Sequence, residues 1–214
     1  LDLEMSYVHK KDVIELVEGL FISIVEKIVP SAKFNKPFLH ISYEESMERF
    51  GTDKPDTRYG LELRTISEIV TNIGINVFDS VIGNGGIARS IVLPGCGEYT
   101  RKQTDELINF SKLSGGKGLV FIGLDKNIQS LDNIQDDQYR SSLKKFLSVD
   151  IVKNIYNFTG AKPGDLVLIV ADQAKVVNNV LSAIRTRMGK ELNLFDNNEF
   201  NFVWVDDFPL FEWD

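Results

Sequence analysis

"GAKPGDLVLIVADQAKVVNNVLSAIRTRMGK", residues 160–190, decides the fold. A turn rich in glycine and proline, "GAKPGD", leads into the apolar run Leu166–Ala171. That run does not alternate, so it reads as a strand buried on both faces. A helical period follows over Gln173–Met188, with Gly189 read as the residue just past the helix end. Turn, buried strand and long helix in immediate succession require a sheet with helices packed on it.

Upstream, "GLVFIG" (118–123) reads as a second buried strand, followed by the polar excursion 124–138. Helical patterns are expected at Arg140–Leu147 and Val149–Phe158. Thr100–Gln103 is a capping box, opening a helix that closes at Gly115–Gly116. Farther back, "IGNGG" and "LPGCG" punctuate Val77–Val81 and Ile87–Leu93, which read as short strands in a hairpin-like arrangement. "GNGGIARS" lacks the Gly-Lys-Ser/Thr ending of a phosphate-binding loop and is read as a hairpin turn.

At the beginning, "LDLEMSYV" alternates like a strand, and Asp12–Ile28 carries apolar residues at helical spacing up to Pro30. A capping box at Ser42–Glu45 opens a short helix ending near Phe50. At the other end "FNFVWVDDFPLFEWD" reads as a strand running into a proline turn, with Phe208, Phe211 and Trp213 expected in the core. Helices and strands mix without a strict βαβ rhythm, so the class is α+β. Boundaries near residues 72 and 192 divide the chain into 1–72, 73–191 and 192–214, the middle part being an insertion. Leu1 is not an initiator methionine, and the chain is expected to be a piece of a longer one.

Composition narrows the function. A net charge of −7 over 214 residues excludes a generally basic nucleic-acid-binding surface, though a dispersed patch of Arg101, Lys102, Lys112 and Lys117 with Lys175, Arg185, Arg187 and Lys190 remains open. One cysteine, Cys96, gives neither an internal disulfide nor a metal cluster, and His9 and His40 have no partner at zinc-ligand spacing. No apolar run is long enough to span a bilayer, and a cytoplasmic location is expected. Asp2 and Glu4, two apart on a strand, would project from one face. They form either the wet edge of the strand or a pair that holds an ammonium group and orders neighbouring cations. "RFGTDKPDTRYG" (49–60) is an ordered turn by its glycines and Pro55. Lys54 and Arg58 could face phosphate oxygens with Asp53 and Asp56 holding them, or the turn could simply neutralise itself.

These blocks resemble one family. "LDLEMSYV" is similar to the end of class II motif 2 in bacterial-type aspartyl-tRNA synthetases, and "YEESMERFGTDKPDTRYGLEL" to the segment that follows. "GAKPGDLVLIVAD", "VVNNVLSAIR" and "GKEL" resemble their GAD insertion domain, and "FVWVDDFPLFEWD" the return to the catalytic core. The resemblance implies an α+β fold, a GAD-type insertion with a mixed, largely antiparallel sheet between pieces of an antiparallel catalytic core. It also implies a cytoplasmic homodimer that uses ATP and Mg²⁺ to activate aspartate and passes the aspartyl group to tRNA(Asp). Asp2 and Glu4 then match strand positions facing the aspartate pocket. Asp53, Lys54 and Arg58 fall near the active-site rim or the tRNA 3′ end. Several family motifs are missing from this stretch, so no catalytic residue is assigned and the chain alone is not expected to make adenylate. The alternative is the GAD-type tRNA-binding part of a tRNA-dependent amidotransferase.

Overall fold

The computed structural model describes residues 2–211. Helix α1 (Lys10–Ile28) starts where the His9 amide donates to the Asp12 carboxylate at 2.8 Å, and Pro30 follows its end. Strands β1 (Lys33–Phe34) and β2 (Leu39–Ser42) follow, and β2 runs straight into α2 (Tyr43–Phe50). Ser42 Oγ caps that helix by accepting from the Glu45 amide, and Gly51 closes it in the left-handed region at φ +69°. Next come β3 (Arg64–Thr65), α3 (Ser67–Val70), α4 (Asn76–Gly83), β4 (Ile87–Leu93) and α5 (Arg101–Leu113). Then follow β5 (Val120–Leu124), β6 (Tyr139–Ser141), α6 (Val149–Thr159), β7 (Leu166–Asp172) and α7 (Ala174–Glu191). The short β8 (Glu199–Phe200) and β9 (Val203–Asp206) end the described chain.

Strands β3, β4, β7, β5 and β6 lie in that order in one sheet, every neighbouring pair antiparallel. Central β7 explains its own sequence. Val167 and Ile169 enter one core with Ile66, Phe78, Ile155 and Tyr156, from the side of α3, α4 and α6. Leu166, Leu168 and Val170 enter the other with Leu107, Val177, Leu181 and Ile184, from α5 and α7. Both faces are covered, so both sets of alternating side chains must be apolar.

Two parallel pairs stand apart from this sheet: β1 with β8, and β2 with β9 in the register Leu39↔Val203 to Ser42↔Asp206. Glu18 ties α1 to β9 and to the residue just before β2. Its carboxylate accepts from the Phe38 amide at 3.0 Å and from the Trp204 indole N–H at 3.1 Å. Phe202 packs beside Phe21, Phe34, Phe38 and Phe200 beneath the same helix.

The structure corrects several expectations. Residues 2–8 form no strand, because an alternating segment without a pairing partner has nowhere to place its backbone hydrogen bonds. Residues 76–83 are helix α4 instead of a hairpin arm, and Ile75, Phe78 and Ile82 reach the core at three- and four-residue spacing. The expected helix at 140–147 begins as β6, paired with β5, and continues as turns. Helix α7 does not stop at Gly189 but runs to Glu191. Phe208 leans on Tyr43, with ring centroids 4.9 Å apart, yet is half exposed, and Phe211 is exposed, so neither belongs to a core. Trp213, Glu212 and Asp214 lie outside the described residues.

Candidate functional site

The loop 51–60 is ordered, and most of its charges are spent internally. Arg58 meets Asp56 in a two-pronged ion pair, Nε to Oδ1 at 2.9 Å and Nη2 to Oδ2 at 2.7 Å. Burial pushes the Asp56 carboxyl up, but the bonds to Arg58 outweigh it and its pKa ends below the usual range. The Arg58 guanidinium also lies 4.0 Å from the centre of the Phe195 ring. Lys54 is the outward cation, its side chain 84% exposed and its ammonium 3.0 Å from Asp53. Thus Asp53, Lys54 and Arg58 share one turn, but only Lys54 presents its charge to solvent. A groove of about 430 Å³ separates the loop from α7, bordered by Thr52, Lys54, Thr186, Arg187 and Lys190.

What seats the loop was missed in the sequence patterns. Arg185, on α7, is 2% exposed, so the suggested patch on that helix loses it. One nitrogen, Nη2, donates to the carbonyls of Asp56, Tyr59 and Gly60 at 2.8–2.9 Å. The guanidinium is flanked by the rings of Phe50 and Tyr59 at 4.7 and 4.4 Å. Arg89, on β4 and also buried, donates to the Met47 carbonyl, the Glu48 carbonyl, Asn178 Oδ1 and Thr65 Oγ1. It therefore caps the C-terminal carbonyls of α2, where a cation also opposes the helix dipole. Burial lowers the pKa of both guanidinium groups. A signal for Arg185 did exist. It lies four residues after Leu181 and three before Met188, on the buried side of α7.

Asp2 and Glu4 are exposed and belong to no regular element. The segment they occupy leads into α1, beside an open cleft of about 710 Å³ that α1 forms with β2 and β9. Asp206 is the hub of that cleft, accepting from His40 Nδ1 at 3.0 Å and meeting Lys10 Nζ at 3.0 Å. The hydrogen bond from His40, then that from Lys10, holds the Asp206 carboxyl below its usual pKa. Among the described residues no three of His, Cys, Asp or Glu converge on a common point, and no helix is long and apolar enough to cross a membrane.

Residues 78–181, which hold four of the five strands of the antiparallel sheet, match the GAD domain. The chain is also similar along its whole length to aspartate–tRNA(Asp/Asn) ligases. It is 44% identical to that of Dehalococcoides mccartyi strain CBDB1 and 40% identical to that of Geotalea uraniireducens, all 214 residues being covered in both cases. The aspartate–tRNA ligase of Agathobacter rectalis is 39% identical over 212 residues. Across all of its residues the chain thus resembles aspartyl-tRNA synthetases, and residues 78–181 carry the GAD domain. The chain spans only about a third of these relatives' length, 36%, 34% and 34% respectively.

Proposed function

We infer that the full-length protein carrying this chain is an aspartate–tRNA ligase. In this reading it activates aspartate with ATP and Mg²⁺ to aspartyl-adenylate and transfers the aspartyl group to tRNA(Asp), as a cytoplasmic homodimer. The observation that carries the reading is the similarity beyond the GAD match. Residues 1–77 and 182–214 align with the ligases as well, which a GAD-bearing amidotransferase subunit would not require. The division into 1–72, 73–191 and 192–214 belongs to the same inference.

Within it, Asp2 and Glu4 serve the aspartate pocket, where two carboxylates can hold the substrate ammonium and order cationic groups. The loop bearing Asp53, Lys54 and Arg58 stands at the active-site rim or the tRNA 3′ end, with Lys54 as the cation available to phosphate. Arg58 is committed to Asp56, and no metal-binding set converges among the described residues. In this reading ATP and Mg²⁺ are held by other parts of the enzyme.

Aspartate-dependent ATP–pyrophosphate exchange by the full-length protein tests the reading, with charging of tRNA(Asp) and tRNA(Asn) transcripts as separate arms. Exchange with aspartate is expected, and its absence would sink the ligase assignment. Asp2→Ala and Glu4→Ala should each impair aspartate activation more than tRNA binding. Unchanged kinetics for both would return that pair to a solvated segment. The 214-residue chain by itself is expected to show no exchange.

A further inference from the structure

Among the described residues, no backbone–backbone hydrogen bond involves residues 52–60. The turns at Lys54 and Arg58 close only on side chains, through Thr52 Oγ1 and Asp56 Oδ1. A nine-residue stretch with so little internal order would ordinarily be mobile. Yet Tyr59 is buried, three carbonyls point inward, and all three converge on the single Arg185 Nη2. Arg185 Nε finds no partner, so the guanidinium is oriented by these carbonyls and two aromatic faces instead of by a carboxylate. A buried cation aimed at backbone oxygens is a poor choice for bulk stability, since an apolar side chain of similar size often does as well. It is a good choice for imposing one backbone shape, because a planar guanidinium held against two rings aims Nη2 at one place, on which the carbonyls must converge.

We propose that Arg185 is a positioning residue: from α7 it templates the 56–60 turn and so fixes where the loop presents Lys54. Arg89 does the complementary work at the loop's entrance by holding the end of α2. Gly51 completes the seat, for a Cβ there would lie 2.9 Å from the Asn178 carbonyl oxygen on α7. The loop's order is thus borrowed from the insertion, and whatever engages α7 across the groove by Lys54, Thr186 and Arg187 acts on the loop as well. The part of the proposal that concerns charging rests on the ligase reading, whereas the templating of the loop does not.

The test uses trypsin and the full-length protein. Lys54 precedes proline, which leaves Arg58–Tyr59 as the cleavable bond of the loop. In the wild type, Arg58 is pinned by Asp56 and Phe195 and cleavage there should be slow. Arg185→Met, which keeps most of the volume, should accelerate it about tenfold or more, the scale expected when more than one net hydrogen bond is lost. Arg185→Lys should give an intermediate rate, since an ammonium keeps the charge without the fork. Cleavage at the wild-type rate in both variants overturns the proposal. So does acceleration matched at sites throughout the protein, which would show general loosening. If Arg185→Met fails to fold, the Arg185→Lys rate and its far-UV unfolding midpoint decide the matter in the same way. In the kinetic arm, tRNA charging should fall by a larger factor than ATP–pyrophosphate exchange, and an equal fall in both overturns the positioning role in charging. A wild type inactive in both assays would overturn the ligase reading while leaving the trypsin result standing.

Discussion

Alanine at Gly189 and alanine at Gly19 are the same chemical change in two helices, and the structure assigns them opposite signs. Each should gain about 1 kcal/mol of helix propensity over glycine. At Gly19, on the exposed side of α1, an added Cβ meets nothing within 4 Å. At Gly189 the Cβ would lie 2.5 Å from Tyr59 Cζ, 2.7 Å from Cε2 and 2.9 Å from the hydroxyl oxygen. The ring has little room to retreat, because Phe195 stacks on it at 5.6 Å and the Arg185 guanidinium lies 4.4 Å from its centre. Overpacking of this kind costs about 1–3 kcal/mol. The propensity gain is common to both variants and cancels in the comparison. Gly19→Ala should therefore be more stable than Gly189→Ala by about 1–3 kcal/mol. Urea unfolding followed by far-UV circular dichroism, at equal m-values, reads the difference. The cycle is closed with Tyr59→Ala, in whose background Gly189→Ala should become stabilising. Equal stabilisation by the two alanines in the wild type would refute the reasoning. A penalty that survives removal of the ring would do so as well.

Tyr156→Phe should destabilise the fold by about 1–3 kcal/mol in the same assay, since the hydroxyl serves the Ile122 carbonyl at 3.0 Å and the Asp165 carbonyl at 2.9 Å. An unchanged midpoint would mean those carbonyls find other donors. Asp206 has a depressed folded pKa, so its contribution is present above the unfolded carboxylate value of about 3.9 and is lost as pH falls through the lower folded value. The stability gap between wild type and Asp206→Asn should accordingly narrow from about pH 4 downward in a pH series of urea melts, and a gap that widens there would contradict the assignment. Gly51→Ala combines a left-handed backbone with a Cβ 2.9 Å from Asn178 O and should cost more than about 1–2 kcal/mol, the left-handed penalty alone. A neutral result by thermal unfolding would show that the loop can leave α7 without loss.

Long periodic segments were legible because the physics acting on them is local. β7 announced its two covered faces by lacking alternation, α1 by its apolar stripe, and α2 and α5 by hydroxyl caps that the structure reproduces. Short runs were not. Val77–Val81 and Arg140–Leu147 each hold too few residues for a period of two to be told from one of 3.6, and tertiary pairing decided both. Residues 2–8 alternate as a strand does, but pairing is a property of the partner and cannot be read from one segment. At the site, the self-neutralisation of Asp56 and Arg58 followed from composition, whereas the seat did not. The helical period could place Arg185 on the buried side of α7, but neither it nor Arg89 names its acceptors, because the carbonyls they hold come from 41 to 129 residues away.

The parallel pairing of β2 with β9 has a kinetic side. Parallel strands cannot be joined by a tight turn, and here the obligatory crossover is the whole five-stranded unit with its helices. The side chains of His40 and Asp206 meet diagonally across the pair although the two are 166 positions apart. On a ribosome making about 5–20 residues per second, β2 must wait roughly 10–30 s for its partner to be synthesised. During that interval the antiparallel sheet can complete, since all of its strands precede β9 in the chain. The order of synthesis thus favours a finished antiparallel sheet before β2 and β9 pair, so that Arg89 and Arg185 are in place to shape the loop by the time β9 arrives.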